Sequence, residues 1–239
     1  MKTFAIIPAR YNSSRFPGKP LALINGKPMF LWVYQACATC HQVDKVILAT
    51  DDHRIQHSAE ACGCNITLTH EAPSGTDRIY HVCKAMNLAS DDLVVNVQGD
   101  EPLTLPWHIE SLVSHMKDNP RSRMATLATH IGYEQALNPN VVKVVTDHSR
   151  RALYFSRLPI PHNSNRYLKH IGIYAYRMET LSLLCYLPVC TIERAEQLEQ
   201  LRALDHGISI DVLITTHDTI AVDTPEDISR VEAYLNRMQ

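Results

Sequence analysis

The sequence predicts an α/β fold in which a mixed, mainly parallel sheet is flanked by helices. Through the first half, short runs rich in β-branched residues alternate with helical patterns, as crossover-connected strands require. In the second half three strand-like runs follow one another with no long helix between them, the pattern of a mixed or hairpin portion. The 239 residues fill one full core and leave little room for a second independent domain, so 1–239 reads as a single unit. A small lobe over about 150–176 is expected to be embedded in it.

Taken in order, residues 3–7, 45–49 and 93–97 are the first strands, and 28–38, 54–61, 76–85 and 105–117 are the crossover helices. The loops at 8–19, 70–76 and 98–103 leave the carboxyl ends of these strands, where open α/β sheets place their ligand crevice. Residues 141–146, 152–156 and 169–176 are the later strands. One helix is expected over 192–204, because Ile192, Ala195, Leu198 and Leu201 recur at helical spacing and Gly207 is a natural stop. Its other face carries Glu196, Glu199 and Gln200. Short strands at 210–214 and 219–221 precede a last helix with Ile228, Val231 and Leu235 on its apolar stripe. Pro225 suits the first turn of that helix, with Asp223 or Thr224 as its cap.

With 23 basic and 25 acidic residues, the chain has no global field to attract nucleic acid or an anionic membrane. No segment approaches the length of a membrane span, and the apolar run at the start is too short for a signal peptide, so a cytoplasmic protein is expected. Seven cysteines, an odd number, argue against a disulfide framework. Cys37/Cys40 and Cys62/Cys64 lack the second half of a zinc site.

The segment that carries most chemistry is Pro8-Ala9-Arg10-Tyr11-Asn12-Ser13-Ser14-Arg15-Phe16-Pro17-Gly18-Lys19-Pro20. Arg10, Arg15 and Lys19 on a strand-exit loop, with Gly18 allowing close backbone approach, can wrap a triphosphate with charge and amides. Alone it would read as a solvated basic loop. A second strand, however, runs into Asn96-Val97-Gln98-Gly99-Asp100-Glu101-Pro102, and a strand-end carboxylate such as Asp100 can hold a hard divalent cation against phosphate oxygens. Asp223 is the candidate second carboxylate, although it also suits a helix cap. Ser74-Gly75-Thr76-Asp77-Arg78 opens a helix, either as a plain N-cap or as a loop that reads the polar edge of a base.

These motifs come together with Ile24-Asn-Gly-Lys-Pro-Met, Ala49-Thr-Asp, Ala152-Leu-Tyr-Phe-Ser-Arg, His170-Ile-Gly-Ile-Tyr, Leu198-Glu-Gln-Leu-Arg and Val222-Asp-Thr-Pro-Glu-Asp. In this order the chain resembles the 3-deoxy-manno-octulosonate (KDO) cytidylyltransferases, also called CMP-KDO synthetases, over nearly its whole length. The resemblance implies a nucleotide-diphospho-sugar transferase fold, a homodimer, Mg²⁺ as cofactor, CTP and an acidic octulosonate sugar as substrates, and a place in lipopolysaccharide biosynthesis. It implies that Arg10, Arg15 and Lys19 bind triphosphate, that Ser74, Gly75 and Thr76 read cytosine, with Ala9 and Arg78 completing the nucleotide set, and that Asp100 and Asp223 hold magnesium. It puts Gln98, Arg157, His170, Tyr174, Glu196 and Gln200 in the sugar pocket, and it makes the 150–176 lobe a sugar-binding and dimerisation element. Arg10, Lys19 and Asp100 are the expected catalytic residues.

Between Arg157 and His170 the chain is shorter than the corresponding family segment, yet keeps Arg166 and Lys169. KDO, an amino analogue of KDO and sialic acid therefore all stand as candidate sugars. A non-catalytic nucleotide-binding protein is the reading from another class. A dehydrogenase is disfavoured, because the first strand is not followed by the Gly-x-Gly-x-x-Gly turn.

Overall fold

Strand β1 (Thr3–Ala9) is buried along its whole length, with Phe4 and Ile6 packed into one apolar cluster and Ala5, Ile7 and Ala9 into another. Alternate side chains of a strand point to opposite faces, so this one segment places a core on each side of the sheet. The computed structural model describes residues 1–12 and 15–238; Ser13 and Ser14 of the basic loop, and Gln239, lie outside the described residues.

After β1 the chain forms a 3-10 turn (Lys19–Leu21), the hairpin β2 (Leu23–Ile24) and β3 (Lys27–Pro28), and α1 (Met29–Ala38). Then come β4 (Lys45–Thr50), α2 (His53–Ala61), β5 (Ile66–Leu68), α3 (Gly75–Ala85), β6 (Leu93–Asn96) and α4 (Pro106–Asp118). The second half holds β7 (Met124–Ile131), α5 (Tyr133–Ala136), β8 (Lys143–Thr146), β9 (Ala152–Ser156) and β10 (Tyr167–Arg177). It ends with α6 (Met178–Tyr186), α7 (Thr191–Glu196), α8 (Leu201–Asp205), β11 (Asp211–Thr215) and α9 (Pro225–Met238).

The nine-stranded sheet has the order β11-β7-β10-β6-β1-β4-β5, with β8 and β9 attached beside β10. β6, β1, β4 and β5 are mutually parallel, and β10 runs antiparallel to both β6 and β7. The chain crosses to one side of β1 for β4 and to the other for β6, so the switch point falls at β1 and the crevice at its carboxyl end. Tyr174 of β10 pairs with Asn96 at the end of β6, so the earlier part of β10, with His170, projects over that crevice. The register of β10 against β7 shifts between Ile171 and Tyr174, and Gly172 lies in the irregularity.

The early strands and crossover helices stand within two residues of their expected ends. Three expectations are corrected. The helix expected over 192–204 is broken: α7 ends at Glu196, the next residue Gln197 has a left-handed φ of 56°, and the chain turns before α8. The 219–221 segment is not a strand, because Lys169 Nζ takes the Thr219 carbonyl and Val222 N–H bonds Asp100 O instead of a ladder partner. Of the 150–176 lobe, β9 stands off the main path, paired with β8 just before the lobe, but β10 lies inside the main sheet. β7 and α6 are not among the expected elements, and α6 follows β10 directly without a side-chain cap. Among the described residues no helix is long and apolar enough to cross a membrane.

Lys143 anchors the β8–β9 hairpin beneath the crevice. Its fully buried ammonium donates to the carbonyls of Asn138 (3.1 Å), Val141 (2.5 Å) and Arg157 (2.6 Å), which uses all three of its protons. Lys143→Met should therefore destabilise the fold by about 1–3 kcal/mol, the cost of leaving partly buried carbonyls without their donor. Urea unfolding of the variant checks this.

Candidate active site

Three segments meet at the carboxyl end of β1. Gly99, after β6, sits so close to β1 that a Cβ there would lie 3.1 Å from Pro8 O, so only glycine lets the β6 loop cross at this height. The basic loop is closed by Gly18 N–H to Tyr11 O at 2.8 Å, and Gly18 takes the left-handed φ of 73° that the closure needs. On it Lys19 Nζ donates to Asp100 Oδ2 (2.5 Å) and Val222 O (2.9 Å), and it lies 3.9 Å from Asp223 Oδ1. Arg15 meets Asp223 at 3.0 Å. Two of the three expected phosphate cations, Arg15 and Lys19, thus form one cluster with the expected metal carboxylates, locked by Val222 N–H to Asp100 O at 2.9 Å, while Arg10 stands apart with Nη1 3.5 Å from Pro73 O.

Two cavities adjoin there. One, of about 450 Å³, is lined by Ala9, Arg10, Lys19, Ser74, Gly75 and Gly99, among others. The other, of about 440 Å³, lies over β10 and the α7–α8 elbow, and its lining includes Arg157, His170, Tyr174, Glu199 and Gln200. Gln98 and Asp100 line both. Arg10 is half-buried, and burial, with the nearby Arg78 charge, lowers its pKa from the usual arginine range. Ser74 caps α3 by accepting from Asp77 N–H at 3.1 Å. Its hydroxyl lies 2.8 Å from Glu199 Oε1 and 2.7 Å from Asp77 Oδ2, with one proton to give, while Thr76 donates to Glu199 Oε2 at 2.9 Å. Glu199 therefore ties the nucleotide-side loop to the elbow. Burial raises its pKa, and the two hydroxyls oppose that rise.

In the second cavity His170 is buried, with Nε2 3.0 Å from Thr126 Oγ1. Burial lowers its pKa to about 3, so it is a neutral hydrogen-bonding group. Tyr174 beside it is held well above the usual phenol range by burial, so it too stays neutral. Arg157 donates to Glu196 O (2.9 Å), Pro139 O (3.1 Å) and Gln197 O (3.4 Å). The last carbonyls of a helix have no partner of their own, and Arg157 satisfies those of α7 while it lines the cavity. Gln98 Nε2 donates to Asn96 Oδ1 at 3.1 Å and reaches the junction of the two cavities.

Four expected site residues are placed otherwise. Arg15 and Thr76, expected on the nucleotide, line the second cavity and not the first. The Glu196 carboxylate accepts from Ser156 Oγ (2.8 Å) and Arg157 N–H (2.9 Å), so it fastens β9 to α7 and is not among the cavity's lining residues. The left-handed break at Gln197 turns Glu199 into the cavity in its stead, and Glu196 and Gln200 are not one turn apart on a helix. Arg78 is fully buried, paired with Asp51 at 2.6 Å and Thr69 at 2.5 Å, and it reaches only a smaller polar cavity behind Arg10. Arg202, buried against Glu193 at 2.6 Å, also lines the second cavity and was not singled out in the sequence. The signal for both it and Glu199 is the Leu198-Glu-Gln-Leu-Arg run.

Asp100 and Asp223, with the Val222 carbonyl, are hard oxygen donors of the kind magnesium accepts, usually as one or two carboxylates completed by substrate phosphates. Among the described residues no group of three or more His, Cys, Asp or Glu side chains could hold a metal. Glu101 does not extend the pair: it is buried toward β10, with Oε1 3.9 Å from where a Cβ on Gly172 would be, and burial raises its carboxyl to about 7.

A basic strand-exit loop facing one carboxylate after β6 and another just ahead of α9, with a second polar cavity opening from the same point, defines a nucleotidyltransferase. Residues 4–210 match the cytidylyltransferase family model, and the chain belongs to that family. It is 45% identical to a 3-deoxy-manno-octulosonate cytidylyltransferase of Desulfatibacillum aliphaticivorans, over 98% of this chain and 99% of that protein. It is 48% identical, with the same coverage, to an 8-amino-3,8-dideoxy-manno-octulosonate cytidylyltransferase of Shewanella halifaxensis. Among solved structures, a CMP:2-keto-3-deoxy-manno-octonic acid synthetase complexed with CTP superposes with a TM-score of 0.93, at 42% identity and full coverage of both chains.

Two outcomes follow from this geometry. Glu196→Ala should lower stability by about 1–2 kcal/mol, because two hydrogen-bond donors lose their acceptor. Glu199→Ala should cost a similar amount, because Ser74 and Thr76 lose their acceptor, and should in addition raise the KM values; the reverse assignment would show as a sugar KM effect confined to Glu196→Ala. Separately, His108 Nδ1 accepts from Leu105 N–H while Nε2 faces His217 O, and burial lowers its pKa to about 4. Of the 13 histidines, His108 and His170 should therefore not titrate between pH 8 and 5 when followed by proton NMR. An unfolded chain takes up these protons near pH 6.5, so the stability they contribute is full above that pH and falls as pH drops toward 4 and 3.

Proposed function

We propose that this cytidylyltransferase transfers CMP from CTP to the anomeric hydroxyl of 3-deoxy-manno-octulosonate, giving CMP-KDO and pyrophosphate for lipopolysaccharide biosynthesis. The observation that carries this reading is the pair of cavities joined at Gln98 and Asp100, one walled by the basic loop, the other lined by Arg157 and Arg202 beside the neutral hydrogen-bonding groups of His170, Tyr174 and Gln200. The relatives' substrates fit that division, CTP in the first and an acidic polyhydroxy sugar in the second.

The sugar oxygen attacks the α-phosphorus in line, a new P–O bond forms, and the bond to the pyrophosphate oxygen breaks. No covalent enzyme intermediate is needed, so catalysis is positioning plus charge neutralisation. Arg10, Arg15 and Lys19 meet the phosphate oxygens, and Gln98 sits where the two substrates approach. Asp100 and Asp223 would hold magnesium. When bound, this ion neutralises phosphate charge and favours loss of the attacking hydroxyl's proton. Arg157 offers its remaining N–H groups to the sugar carboxylate, and His170, Tyr174 and Gln200 orient the hydroxyls.

A homodimer in the cytoplasm is part of the same proposal. Exposed Tyr133, Leu137 and Leu158 beside the 158–164 loop supply apolar surface for pairing subunits. The second reading replaces the sugar with its 8-amino analogue, since relatives acting on each are similarly identical, at 45% and 48%.

Pyrophosphate release from CTP should require magnesium and one of these two sugars. Competition between them for limiting enzyme selects the substrate, and failure of both would overturn the proposal. Arg157→Lys should lower kcat/KM for the sugar by about tenfold or more while CTP KM changes within about twofold, because a lysine cannot make the paired bonds of a guanidinium to a carboxylate.

A further inference from the structure

We infer that Lys19 has a second role besides binding phosphate: its ammonium competes with the divalent cation for the same oxygens, so that metal and nucleotide bind cooperatively. The inference rests on the reading of Asp100 and Asp223 as the metal carboxylates. Lys19 Nζ is 2.5 Å from Asp100 Oδ2, 2.9 Å from Val222 O and 3.9 Å from Asp223 Oδ1. Those three oxygens are the hard donors a magnesium ion would need. The Lys19 side chain is only 14% exposed, so its contacts are shielded from water more than those of a surface pair. Arg15, on Asp223 at 3.0 Å, adds a second cation to the same carboxylate.

Two carboxylates and a carbonyl make an incomplete site for an ion that usually completes its shell with substrate phosphates. A divalent ion entering alone must therefore displace Lys19 without gaining those phosphate ligands. A triphosphate entering the basic loop changes both terms. Lys19 lines the nucleotide-side cavity, so phosphate oxygens there give its ammonium an alternative partner. The carboxylates are then released to the metal, which the same phosphates help to coordinate. Because coupling between two ligands is reciprocal, metal raises nucleotide affinity by the factor that nucleotide raises metal affinity.

This exchange gives a deletion that strengthens binding of one ligand. Lys19→Met, and Lys19→Gln as a second variant that retains polarity, should bind Mn²⁺ without nucleotide about tenfold or more tightly than the unaltered chain, within the 5–150-fold span usual for coupled sites. Both should lose CMP transfer. Mn²⁺ binding is read from the electron paramagnetic resonance signal of the free ion, with far-UV circular dichroism to verify folding. Adding Asp100→Asn to Lys19→Met should abolish the gain. If both folded Lys19 variants bind Mn²⁺ no more tightly than the unaltered chain, the competition is overturned. If they bind more tightly but Asp100→Asn leaves that gain intact, the ion lies elsewhere and the metal assignment of Asp100 fails.

Discussion

Lys19 joins stretches of chain that lie 81 and 203 residues further on, through Asp100 and Val222. Its bonds hold the basic loop against the end of β6 and against the start of α9. The backbone bond from Val222 to Asp100 fixes the two carboxylate segments to each other at the same point. Everything that gives the site its shape depends on this convergence. Were the three segments not drawn together, the cations of the loop and the two carboxylates would be surface charges with no common ligand.

The sheet prepares the convergence. β1 and β6 are parallel and end side by side, so their exit loops necessarily meet, and Gly99 allows the two backbones to cross at contact distance. The reversal of β10 supplies the other half. A strand running against β6 begins where β6 ends, so His170 stands over the crevice while Tyr174 pairs with Asn96. The cavities adjoin at Gln98 and Asp100 because parallel and antiparallel neighbours flank the same strand.

Much of this was legible in the sequence where the signal is local. β1, β4 and β6 are short apolar β-branched runs, and α1, α3 and α4 follow them with clear helical spacing. Arg10, Arg15, Lys19 and Asp100 could be chosen by residue type and by their position after strands, and Asp223 by residue type at the start of a helix. The less legible features depend on distant partners. Ile192 to Leu204 reads as one helix because nothing nearby shows that Arg157 will satisfy the carbonyls of Glu196 and Gln197 and stabilise a left-handed turn. That single contact decides whether Glu196 or Glu199 faces the cavity. The 219–221 run looks like a strand for the same reason, since its carbonyl partner is a side chain fifty residues earlier.

The order of these contacts along the chain has a consequence for synthesis. All nine strands of the main sheet are complete at Thr215, whereas Val222, Asp223 and α9 follow. A chain emerging from the ribosome thus possesses its whole sheet before it possesses a closed cleft. Lys19 and Arg15 acquire their partners at Val222 and Asp223 only after every strand of that sheet has been made, so the site closes later in synthesis than the scaffold that positions it.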